Sequence, residues 1–156
     1  VTNSVVRLAE TTSRKIPPRS HSAEIRTESQ HILDAIVARG GDALYQFEGV
    51  ISELPRSNFF IVMRDGTVCT PSENVLPGIM RNQVLKLAAS AFPVRETTVT
   101  LDDLAGATEA FFTSTTKRLV PVVQVDDQVI GNGKPGPVTG HLLKLLLEKE
   151  DELLSH

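Results

Sequence analysis

Cysteine is nearly absent from this 156-residue chain: Cys69 stands alone, so no internal disulfide can form. A reducing, intracellular compartment is therefore expected, the cytoplasm first, with an organelle left open. Long apolar runs are missing too. No stretch approaches the roughly 20 apolar residues of a membrane-spanning helix, so no membrane partner is expected. Basic tracts are also lacking. The 16 lysines and arginines are scattered among 19 acidic residues, for a net charge of −3, which argues against nucleic acid as a partner. No metal site is expected. The first residues, Val1-Thr2-Asn3-Ser4, carry neither a signal-peptide core nor an initiator methionine. That start reads as a processed or truncated piece.

What is present is ordinary for a globular domain, with 40% hydrophobic and 22% charged residues. The length suits one domain with a real core. Val5–Ala9 reads as a short strand, and Pro17-Pro18 bars a helix in the polar stretch behind it. Thr27-Glu28-Ser29-Gln30 fits a capping box, and Ile32, Leu33, Ile36 and Val37 follow at helical spacing until Gly40-Gly41. From Asp42 the period changes to two. Residues 43–47, 49–51, 59–63 and 67–69 read as strands, with Asp65-Gly66 as a hairpin turn. Pro77-Gly78 opens a helix from Ile79 to about Ala91, with Val84, Leu85, Leu87 and Ala88 on its apolar face. Residues 94–99 return as a strand, and Thr100 caps a turn of helix over Leu101–Leu104. Strands over 110–112 and 120–125 follow, then a turn at Asp126-Asp127 and a glycine-rich loop, Gly131–Gly136. The last helix begins at Pro137 and turns Val138, Leu142, Leu145 and Leu146 inward, with a solvated charged tail over Glu148–Glu152. Helices alternate with strands, yet several strands are hairpin-linked. This predicts a mixed α/β (α+β) domain, its mixed sheet curled into an open barrel with helices outside.

Three local features have the chemistry of an anion- and ring-binding site. At Leu76-Pro77-Gly78-Ile79-Met80-Arg81, the first-turn amides of Ile79 and Met80 lack intrahelical acceptors and would attract a phosphate. The plainer alternative is only a Pro-Gly helix start. Thr113-Ser114-Thr115-Thr116 sets four hydroxyls between two apolar strands, able to donate to a phosphate or to form a hydrated strand-end turn. Glu53, with Ser57-Asn58 after it, is either a carboxylate for a protonated pyridine nitrogen or a surface glutamate beside Arg56.

In this order and at these separations the motifs resemble the class IV aminotransferases. The resemblance runs from about Asp42 to Leu146. It rests on Glu53–Asn58 with Phe59-Phe60, Asp65-Gly66, Thr70-Pro71, Leu76-Pro77-Gly78-Ile79 and Arg81. It continues through residues 99–104, Ala107-Thr108-Glu109-Ala110-Phe111, Thr113–Thr116 with Pro121-Val122, and Gly131–Gly136 with Pro137-Val138-Thr139. That family includes branched-chain and D-amino-acid aminotransferases and aminodeoxychorismate lyase.

The resemblance implies the family's C-terminal, cofactor-binding domain and a pyridoxal 5'-phosphate (PLP) site. Glu53 would meet the pyridine nitrogen with Asn58 beside it, and Leu76 would pack on the ring face. Ile79 and Met80 amides, with Ser114 or Thr115, would hold the phosphate, and Thr116 would lie near the substrate carboxylate. Met80 departs from the family's usual threonine, which removes a hydroxyl contact but not a backbone one. The implied substrates are an amino acid and a 2-oxo acid. The whole chain, 1–156, is expected as one domain, with 1–26 as strand and linker and 27–156 as the aminotransferase-like part.

The Schiff-base lysine is the main departure. The family places it some thirty-odd residues before the glutamate, ahead of Asn-Tyr, and that count lands near His21. Imidazole has no primary amine. Lys15 is the nearest amine but lacks the rest of the motif. The family's N-terminal domain, which gives an arginine to the phosphate and one wall of the pocket, is also expected to be absent. The chain alone is therefore expected not to transaminate. Two function classes remain: a PLP-dependent aminotransferase or fragment of one, or a catalytically inactive module or subunit, with a lyase of the same family as a further variant. Uncovered apolar surface predicts a homodimer or an N-terminal partner chain.

Overall fold

The hairpin at Asp65-Gly66 shows how the sheet is started. The amide of Thr67 donates to the Asp65 carboxylate at 2.9 Å, and Met63 and Gly66 close the turn through backbone bonds. The strands on either side, β5 (Ser57–Val62) and β6 (Val68–Pro71), pair antiparallel. The computed structural model describes residues 4–10, 42–54, 56–73 and 75–154. The capping-box helix, Pro17-Pro18, Lys15 and His21 lie outside the described residues.

Among the described residues, eleven strands form one mixed sheet. Besides β5 and β6 they are β1 (Ser4–Glu10), β2 (Asp42–Phe47), β3 (Val50–Ile51), β4 (Glu53–Leu54), β7 (Val94–Thr97), β8 (Val99–Thr100), β9 (Glu109–Ser114), β10 (Arg118–Val125) and β11 (Gln128–Val129). The hydrogen-bonded order is β7-β6-β5-β9-β10-β1-β2-β3-β8, with β11 on β10 and β4 on β5. β1 runs parallel to both β10 and β2, so it is an inner strand of the sheet. β6 and β7 are the third parallel pair. The single strand expected over 94–99 is two short ones that break at Thr98. β7 pairs with β6 at one end of the path and β8 with β3 at the other. The sheet thus curls until its two end strands are neighbours in the chain, and among the described residues no ladder closes it.

Side-chain alternation divides the core in two. Inside the curl lie Phe59, Ile61, Ala110, Phe112, Val122 and Val125, with Leu104 from the short helix α2 (Leu101–Gly106). Thr100 and Asp103 form a reciprocal capping box there. Outside the curl, Phe60, Val62, Phe111 and Leu119 pack against α1 (Ile79–Ala89) and α3 (Pro137–Leu154) through Val84, Ala88, Leu142 and Leu146. Phe60 and Phe111 stack at 4.8 Å between ring centres.

The mixed sheet with outer helices matches the expected architecture. Three details differ. Helix α1 ends at Ala89 rather than Ala91. Its buried face includes Arg81, whose Nη2 donates to the Pro71 carbonyl at 3.1 Å and to Glu96 at 2.9 Å. The charged tail of α3 is not wholly free of the fold, since Glu150 pairs with Arg118. Among the described residues no helix is long and apolar enough to cross a membrane.

Candidate functional site

Antiparallel pairing places Glu53 opposite Asn58 and Asn58 opposite Thr113, so these three residues form a row across β4, β5 and β9. Asn58 shares its face with Phe60, and Thr113 with Phe111, so the row faces the outer helices. Glu53 is fully buried, which excludes the reading as a surface glutamate beside Arg56. Its Oε1 accepts the Leu76 amide at 2.7 Å. Asn58 Nδ2 donates to the Leu76 carbonyl at 2.8 Å. The two site residues read from β4 and β5 thus hold the two sides of Leu76. The Leu76 side chain is 42% exposed.

Two residues on, α1 begins. Gly78 is its N-cap and offers no side chain, and no acidic residue stands in the first turn. A Cβ on Gly78 would lie 2.6 Å from Asn58 Oδ1, so the backbone comes as close to Asn58 as glycine permits. Ile79 is 70% exposed and Met80 half-buried. The start of α1 is therefore open, apolar in its side chains and polar in its backbone donors.

The four hydroxyls do not act as one group. Thr113 and Ser114 belong to β9 and are buried, while Thr115 and Thr116 are exposed in the turn. Alternation turns Thr113 toward Asn58 and α1, and Ser114 to the other face of the sheet. Ser114 Oγ accepts the Lys117 amide at 3.0 Å, which leaves its own proton free to donate. Thr113 Oγ1 is buried without a hydrogen-bond partner among the described residues. It is the row's own hydroxyl, whereas the resemblance pointed to Ser114, Thr115 and Thr116 of the four.

A second carboxylate was also missed. Glu109, at the other end of the same face of β9, is buried beneath the start of α3. Its Oε1 accepts the Thr139 amide at 2.8 Å and its Oε2 the Val138 amide at 3.2 Å. A Cβ on Gly136 would collide with the Glu109 side chain. The sequence held a signal: a glutamate inside an apolar strand, and a helix beginning Gly136-Pro137 with no capping side chain of its own. Burial pushes the Cys69 thiol up, so it stays a neutral core group. Among the described residues no cluster could hold a metal ion.

A curled mixed sheet with outer helices, and a polar row of Glu53, Asn58 and Thr113 under an open helix start, define a mixed α+β class of domain. A model of the family described as Amino-transferase class IV matches residues 6–125, and the chain belongs to that family. The match takes in β1, upstream of the span that the motifs alone marked. The branched-chain-amino-acid aminotransferase of Pseudomonas aeruginosa is 37% identical over 130 residues, covering 81% of this chain and 42% of that protein. A D-alanine aminotransferase of Bacillus licheniformis is 36% identical over 100 residues, covering 63% of this chain and 35% of that protein. The solved branched-chain amino acid aminotransferase of Escherichia coli superposes with a TM-score of 0.76 at 25% identity, over 92% of this chain and 51% of that one. A solved T.th. branched-chain amino acid aminotransferase, complexed with N-(5'-phosphopyridoxyl)-L-glutamate, gives 0.75 at 28% identity, over 92% and 51%. The chain thus spans between about a third and a half of the length of these relatives.

Proposed function

We propose that this chain forms the cofactor-binding half of a PLP-dependent aminotransferase that moves an amino group between an amino acid and a 2-oxo acid. The observation that carries the reading is the buried Glu53 carboxylate bonded to Leu76, two residues before a helix start that has no side-chain cap. Three features fit the group. Glu53 is an acceptor out of water, suited to a protonated pyridine nitrogen. Gly78 leaves the backbone bare at the first turn of α1. Thr113 Oγ1 is an orphaned hydroxyl on the same face. When bound, PLP would supply the electron-withdrawing ring on which amino-group transfer depends.

This chain's residues would bind and orient. Glu53 would keep the ring nitrogen protonated, Asn58 would hold the Leu76 segment, and Leu76 would lie on the ring face. The amides of Ile79 and Met80, with Thr115 from the exposed turn rather than Ser114 on the far face, would hold the phosphate, and Thr116 would meet the substrate carboxylate. The rest of the pocket would come from an N-terminal region or partner chain, with a homodimer as the simplest assembly. We place the chain as one functional unit across 1–156, working inside the cell.

A second reading, a catalytically inactive module or subunit, is favoured by one observation. The position that the family gives to its lysine falls near His21, and the nearest amine is Lys15. Titration with PLP, followed by absorbance and by borohydride reduction with peptide mapping, separates the two. Stoichiometric PLP binding without transamination by the chain alone is the expected result. A trapped adduct on Lys15 together with turnover would remove the module reading. Absence of any PLP binding would remove the cofactor reading altogether.

A further inference from the structure

Asn58 is held at three points that have no need of a cofactor. It pairs with Glu53 on β4, donates to the Leu76 carbonyl at 2.8 Å, and touches Gly78 so closely that a Cβ there would lie 2.6 Å from its Oδ1. Glu53 takes the amide of the same Leu76 at 2.7 Å. One residue's N–H and C=O are thus gripped from two adjacent strands. Pro77 and Gly78 alone separate this grip from the first turn of α1, and neither carries a side chain that could anchor it to the sheet by a hydrogen bond.

We infer that Asn58 is a positioning residue: with Glu53 it clamps the backbone of Leu76 and so sets where the first-turn amides of α1 present themselves to an anion. This rests on the reading of α1 as a phosphate site and assigns Asn58 a task other than touching the ring. The clamp also ties the two ends of the site together, because the carboxylate at the ring end holds the peptide that leads to the phosphate end. A helix N-terminus binds an anion through amides converging on one point, so a displaced start loses affinity without losing the helix.

Amide hydrogen exchange on the full-length chain tests the clamp directly. The Leu76 amide, bonded to Glu53, is expected to be protected although its side chain is exposed, and to exchange faster in Asn58→Leu, where the carbonyl half of the clamp is lost. Leucine is preferred to aspartate, whose charge would itself repel an anion. Inorganic phosphate, which has no ring, then tests the positioning. Its affinity is expected to fall about ten-fold in Asn58→Leu, the scale of one hydrogen bond, while exchange in the last turn of α1 is unchanged. If the leucine variant does not fold, Asn58→Ser, too short to reach Leu76, is expected to show the same loss. An unprotected Leu76 amide in the native chain, or unchanged phosphate affinity in a folded variant, would overturn the inference alone. A native chain that binds neither phosphate nor PLP would instead overturn the reading beneath it, and Asn58's role with it.

Discussion

Helices α1 and α3 begin on the same side of the sheet, each beside a glycine-proline pair, and they treat their free amides in opposite ways. At α3, Glu109 reaches from β9 and accepts from both Val138 and Thr139. At α1, the N-cap is a glycine without a side-chain bond, and the first turn has no acidic residue. One strand serves both, with Glu109 at one end of its helix-facing side and Thr113 at the other. The same physical feature, the free donors and positive dipole end of a helix start, is capped by a carboxylate in one helix and left without a side-chain cap in the other. A helix start therefore says little about binding until the partner of its amides is known.

The largest test removes the closed cap. Glu109→Ala should destabilise the fold by about 3 kcal/mol, since it strips two amides of a charged acceptor and leaves space behind. In a chain of this size that lowers the melting temperature by roughly 10 °C. A change below about 1 kcal/mol, the scale of one ordinary hydrogen bond, would mean that α3 is as open as α1. Glu109→Gln, which keeps one good acceptor, should cost less.

The next test sharpens the contrast from the other end of β9. Thr113→Val keeps the shape and deletes a buried hydroxyl that has no partner among the described residues. It should raise the stability of the cofactor-free chain by about 1 kcal/mol, measured by denaturant midpoint. A loss of that size would show that the hydroxyl is bonded.

Making α1 resemble α3 is the third. Ile79 is exposed at the first helical position, so Ile79→Asp should stabilise the empty chain by about 0.3–1 kcal/mol through the dipole. The same change should weaken phosphate binding in a calorimetric titration. Gain of stability without loss of binding would separate α1 from the anion site.

The smallest effect lies away from both helices and calibrates them. Hydrogen bonds from Thr67 hold the exposed Asp65 carboxyl below its usual range. A depressed folded pKa stabilises above the unfolded value and loses that contribution as pH falls through the folded one. The stability difference between the native chain and Asp65→Asn should be level from about pH 5 to 7 and shrink below about pH 4. A difference that is flat through that range would mean the turn holds the same bond either way.

Much of the architecture was legible because it is local. Alternation set the strands over 43–47 and 59–63, Asp65-Gly66 set the hairpin, and Thr100 set the cap of α2. Family membership was legible as well, since the order and separation of Glu53, Leu76-Pro77-Gly78 and Thr113–Thr116 survive in one dimension. Sequence could not show that residues 94–99 divide between the two ends of a curled sheet, because strand partners lie far away along the chain. Nor could it place Asn58 on Leu76, Glu109 on Thr139, or Thr113 rather than Ser114 on the side of α1. The first two are contacts across 18 and 30 residues, and their geometry exists only when register and curl bring the strands under the helices. Residue type determined what each group is able to bond, and tertiary structure alone decided which amide it met.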